Sequence, residues 1–126
     1  VLTQAGQTDA GLRIVGEALT LVDNHGERWW AAELLRLKGE CLLAQAGQGQ
    51  KWLDVEICFQ QALAVARRQQ AKSLELRATV SLSRLWQRQG KQDAARRLLM
   101  EIYGWFTEGF DTADLQEAKT LLEALA

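Results

Sequence analysis

The 126-residue sequence contains no proline. That absence removes collagen-like, polyproline and Pro-rich linker readings, and it makes long uninterrupted helices the first expectation. Cysteine is nearly missing too. Cys41 and Cys58 both sit inside apolar helical patterns, which suits free buried thiols of a reducing cytoplasm rather than a disulfide framework. A single histidine, His25, excludes any site that needs two and with it most zinc enzymes. There is no excess of charge of either sign: 15 Lys and Arg stand against 16 Asp and Glu. A nucleic-acid binder or a polybasic membrane anchor would need a basic field that this chain lacks. Wholly apolar stretches run to only a few residues, as in Leu42 to Ala44, whereas a bilayer span needs roughly 20. Residue 1 is Val, and no charged and then apolar leader follows it. The chain therefore reads as a piece of a longer protein rather than as a secreted precursor.

What is present is the profile of one folded domain, 48% hydrophobic and 25% charged. At this length about two-thirds of the unfolded chain's surface can be buried, so a core holds the fold without metals or disulfides.

One apolar pattern recurs three times. Its first copy is Gly11, Ile14, Val15, Ala18, Leu19 and Val22; its second is Val55, Cys58, Phe59, Ala62, Leu63 and Ala66; its third is Ala95, Leu98, Leu99, Ile102, Tyr103 and Phe106. Each follows i, i+3, i+4, i+7, i+8, i+11, which places six side chains on one stripe of an α-helix. The copies start 44 and then 40 residues apart. Between them lie Arg28 to Gln45 and Lys72 to Gln89, rich in good helix formers, so the repeating unit is two helices.

Glycines divide the chain in the same way: Gly6, the run Gly47-Gln48-Gly49-Gln50, and Gly90 each precede a striped helix, and Gly26 closes the first one. Thr8-Asp9, Ser73 and Asp111-Thr112 are candidate N-terminal caps. The spacing predicts a stub over residues 1–5 and helices near 8–24, 28–46, 52–69, 72–89, 92–106 and 112–125. A helical hairpin of this size cannot bury its own stripe, but stacked hairpins bury a continuous core. The fold expected is therefore all-α, a right-handed α-solenoid of antiparallel helical hairpins with a C-terminal capping helix. In that last helix Leu115, Ala118, Leu122 and Leu125 would cover the third hairpin, with Asp114, Gln116, Glu117 and Lys119 toward water. One domain spans 1–126: a partial first repeat at 1–26, a second at 27–70, a third at 71–110 and the cap at 111–126. The N-terminal end begins within a repeat, so self-association or fraying is expected there.

Small and bulky residues punctuate the hairpins in a way that resembles the tetratricopeptide repeat. In the third unit these are Ser83, Trp86, Gly90, Ala95, Leu99 and Ile102; in the second, Gly39, Leu42, Ala46, Val55, Phe59 and Ala62; in the first, Gly6, Gly11, Val15 and Ala18. The unit spacing, Lys38 where Leu is usual and the missing terminal proline depart from the family pattern. Longer segments are similar to the C-terminal tetratricopeptide region of large bacterial regulators, in which an adenylate/guanylate cyclase or DNA-binding domain is joined to an ATPase module. These are Gly26-Glu27-Arg28-Trp29-Trp30, Leu37-Lys38-Gly39-Glu40, Phe59 to Leu63 with Ala66 to Gln69, and Tyr103 to Thr112. The resemblance implies a cytoplasmic, non-catalytic module for partner contact or oligomerisation, with any cyclase or ATPase chemistry in upstream domains.

The residue inventory agrees that chemistry is not the task. His25 with Cys41 or Cys58 would make a Cys-His pair only from a turn and two helix interfaces. Gly49-Gln50-Lys51 and Gly90-Lys91 lack the spacing that wraps backbone amides around phosphates. Glu33 with Glu40 lacks a pocket signal and reads as a solvated face. No cofactor and no metal site is expected.

In the family that the chain resembles, the first helix of each pair lines a concave face. On 72–89 that face would carry Arg77, Ser81, Arg84 and Arg88, a local basic strip suited to an acidic peptide or a C-terminal carboxylate. Glu75 is available to pair with it. Glu33, Arg36 and Glu40 on the preceding first helix make the groove amphoteric, and Arg67 and Arg68 would face away. Five Trp are many for this length. Trp86 falls at a core position, adjacent Trp29 and Trp30 cannot both be buried on one helix, so one of them is a contact candidate, and Trp105, Phe106 and Phe110 would pack the cap. The expected function is a protein-protein or inter-domain scaffold in a bacterial signalling protein, with Arg77, Ser81, Arg84, Arg88, Glu33, Arg36, Glu40 and Trp29 as contact residues. The partner would be a protein or peptide, acidic in the simplest case, or upstream domains of the same polypeptide, with no nucleic acid and no membrane. A sensor for a small anionic ligand and an architectural homodimer are the alternatives.

Overall fold

The structure is a computed structural model that describes Arg13, residues 30–46 and residues 52–126. Its described residues are all-helical, with no strand. The elements are α1 (Ala31–Ala46), α2 (Trp52–Arg68), α3 (Lys72–Arg88), α4 (Gln92–Tyr103) and α5 (Ala113–Leu125). They fall within about three residues of the boundaries expected from the sequence. The expected helix at 8–24, its apolar stripe and Trp29 lie outside the described residues, apart from Arg13, which is helical. No helix among the described residues is long and apolar enough to cross a membrane.

Burial follows the repeated stripe. All six residues of the second copy, Val55 through Ala66, are buried. In the third copy Ala95, Leu99 and Ile102 are buried, while Leu98, Tyr103 and Phe106 are half-buried against the core. The stripe of α5 is wider than expected: Leu121 is buried beside Leu115, Ala118 and Leu125, and Leu122 packs at the edge. An apolar stripe at least 100° wide admits both neighbours.

Two clusters make up the core of the described residues. One joins Val55, Phe59, Ala62 and Leu63 of α2 to Ala78, Leu82 and Leu85 of α3, with Leu35, Leu42 and Leu43 of α1 against it. The other joins Leu76 and Val80 of α3 to Leu99 of α4 and to the buried leucines of α5. Trp86 touches both, and so ties the halves together. Consecutive helices pack on each other, and α3 also touches α1 and α5.

Two turns close in the same way. Gln70 and Gly90 both take a positive φ, 55° and 81°. In each case the next amide reaches back five residues, Ala71 N–H to the Ala66 carbonyl at 2.9 Å and Lys91 N–H to the Trp86 carbonyl at 2.8 Å. This left-handed closure satisfies helix-end carbonyls that would otherwise be unpaired. Because it also starts α3 at Lys72, Ala71 takes the N-cap position expected for Ser73, and no side chain caps the helix. Thr112 does cap α5, its Oγ1 accepting from the Leu115 N–H. Cys41 and Cys58 are free and buried, and burial raises the pKa of both thiols.

Candidate functional site

The polar faces of α1, α3 and α5 meet at one surface. On α1 the sequence E-x-x-R-x-x-x-E sets Glu33, Arg36 and Glu40 on one side, because residues three and four apart are helix neighbours. On α3 the same argument aligns Arg77, Ser81 and Arg84, and on α5 Asp114 and Glu117.

Arg36 lies at the centre of the α1 set. Its Nε and Nη2 donate to the two Glu33 oxygens at 2.9 and 2.8 Å, a bidentate fork. Its Nη1 donates to Ser81 Oγ at 3.3 Å and approaches Glu40 Oε2 at 3.5 Å. The Ser81 hydroxyl, buried in the α1–α3 contact, donates onward to Glu40 Oε2 at 3.3 Å. Arg77 bridges two helices from α3, with Nη1 to Glu33 Oε2 at 3.2 Å and Nε to Asp114 Oδ2 at 3.0 Å. Arg84 pairs with Glu117 on α5 at 3.0 Å. A cleft of about 210 Å³ opens among these groups, lined by Arg36, Arg77, Ser81, Asp114 and Glu117 over an apolar floor of Leu76 and Val80.

Most of the contact residues read from the sequence are thus brought together: Glu33, Arg36, Glu40, Arg77, Ser81 and Arg84. Arg88 is not among them, since its guanidinium lies over the Trp52 ring at 5.7 Å. The basic strip does not stand free. Glu75, offered by the sequence as its neutraliser, pairs instead with Arg67 and Lys72 at 3.3 and 3.4 Å. The neutralising groups are Glu33, Asp114 and Glu117. Glu117 is exposed and Asp114 half-exposed, in keeping with their place on the polar side of the last helix, but periodicity along one helix does not say which polar faces meet across helices. The aromatics divide as well: Phe106 packs on the core, whereas Trp105 and Phe110 are exposed, as is Trp30. Lys72 Nζ stands 5.4 Å from the Trp105 ring centre.

Burial by itself would raise the Glu33 pKa, but the hydrogen bonds and charges of Arg36 and Arg77 outweigh it and hold the carboxyl below its ordinary value. The Glu33 hydrogen bonds raise Arg36, and the Asp114 hydrogen bond raises Arg77. A carboxyl with a depressed folded pKa stabilises the fold fully above its unfolded value, and that contribution is lost as pH falls through the folded value. Glu33→Gln is therefore expected to lower the urea midpoint at neutral pH and to make it fall less on acidification below about pH 4.3. Equal acid slopes for the two chains would show that Glu33 carries none of the pH dependence.

Comparison of the chain with protein-family models, with curated proteins and with solved structures finds no match.

Proposed function

We propose that this chain is a non-catalytic tetratricopeptide-like scaffold, a right-handed solenoid of antiparallel hairpins closed by α5, that holds a protein or peptide on the face formed by α1, α3 and α5. The bacterial-regulator setting comes from the sequence resemblance, and the cytoplasmic one from that resemblance together with the two free thiols. The observation that carries the reading is the cleft at which charged groups of three helices converge above Leu76 and Val80. The three-residue turns at 69–71 and 89–91 and the contact of α3 with both α1 and α5 support the stacked arrangement. The small-anion sensor is less well supported, since every guanidinium of the face already has a carboxylate partner.

Selection from a displayed random-peptide library tests this, with parallel counter-selection on Arg77→Glu and Arg84→Glu and light scattering of each chain over a concentration series. The expected result is a set of peptides whose binding to the native chain changes in the variants, at unchanged oligomeric mass. Peptides that bind the variants equally well, or none enriched, would overturn the groove reading. A concentration-independent dimer would favour the architectural alternative.

A further inference from the structure

The groove's charges set the sign of its guest. Among the described residues, Glu33, Glu40, Asp114 and Glu117 face the three guanidiniums of Arg36, Arg77 and Arg84, so this network carries one more negative charge than positive. An acidic guest would add to that excess and compete for Arg77 and Arg84 with the carboxylates they already pair with. A cationic guest displaces nothing. Among the described residues, Glu40, Asp114 and Glu117 each meet their arginine through one oxygen, and their side chains keep 37%, 37% and 49% of their exposure.

We infer that the partner presents a lysine or arginine side chain to this cleft, held by Asp114 and Glu117. The inference rests on the groove reading above and reverses the acidic partner that the arginine strip suggested in the sequence.

Fluorescence anisotropy with three labelled peptides of equal length, rich in Lys and Arg, in Glu, or in Ser, tests it on the native chain and on two double variants. Asp114→Asn with Glu117→Gln removes groove charge with near-isosteric amides. Asp93→Asn with Glu101→Gln makes the same change in net charge on exposed positions of α4. The basic peptide is expected to bind, to weaken with added salt, and to lose about three- to tenfold in affinity in the groove variant only. Circular dichroism confirms that each variant is folded. Preferential binding of the Glu peptide would overturn the inference and leave the scaffold reading intact. Equal losses in both variants would also overturn it, by showing attraction to net charge alone. Binding of none of the peptides would bring down the groove reading together with the inference.

Discussion

Gly39→Ala is expected to destabilise the protein by about 1–2 kcal/mol, although alanine is the better helix former. In an exposed helix the substitution would gain about 0.5–1 kcal/mol, because glycine loses the most backbone freedom on folding. Here a Cβ on Gly39 would stand 2.5 and 2.7 Å from two carbons of the Phe59 ring and 3.2 Å from Cys58 Cβ. Phe59 is fully buried in the α2–α3 cluster and cannot swing aside without opening that core. Overpacking of this kind costs about 1–3 kcal/mol, which exceeds the helical gain. Gly39→Leu should go further and undock α1 from α2. Urea denaturation of Gly39→Ala, Phe59→Leu and the double variant gives the check. If the ring contact is the cause, the double variant is more stable than the sum of the singles predicts, because the smaller side chain admits the methyl group. A Gly39→Ala midpoint at or above that of the native chain would show that the helices are not packed this closely.

Gly39 also shows what one strand of text can reveal. Its place as a small residue in a two-helix unit was legible, and so were the six buried residues from Val55 to Ala66, because helical period and burial express the same geometry. The Gly90 turn was legible because only glycine takes that conformation without cost. Gln70 makes the equivalent turn with an ordinary side chain and left no trace in composition, so the cap of α3 was placed two residues late. The candidate site was read by half. Residue sets such as Glu33-Arg36-Glu40 and Arg77-Ser81-Arg84 follow from spacing on single helices, but which set neutralises which depends on how α1, α3 and α5 lie against each other. Asp114 is 37 residues from Arg77 and looked like solvent-facing polarity. That pairing decides the sign of the groove.

Leu99→Ala is expected to have the largest effect, about 2–5 kcal/mol, against a total stability of about 5–15 kcal/mol for a domain of ordinary stability. Leu99 is fully buried where α4 meets α3 and α5, among Leu76, Val80, Leu115 and Leu121. The leucines around it are themselves buried and closely packed, which limits how far they can relax into a cavity. The loss should not be uniform. Helix α5 packs only on α3 and α4 among the described helices, while α1 and α2 are held by the separate cluster around Phe59. Amide hydrogen exchange in the variant should therefore accelerate most in α5, less in α3, and least in α2. Equal acceleration in all helices would mean that Trp86, which touches both clusters, makes the two halves one cooperative unit. The local outcome has a functional consequence. When α5 leaves, Asp114 and Glu117 leave with it, and the face keeps Arg77 and Arg84 without those partners. Its charge then changes from one excess carboxylate to one excess guanidinium, so Leu99→Ala should weaken a basic peptide and strengthen an acidic one without altering any residue in the groove.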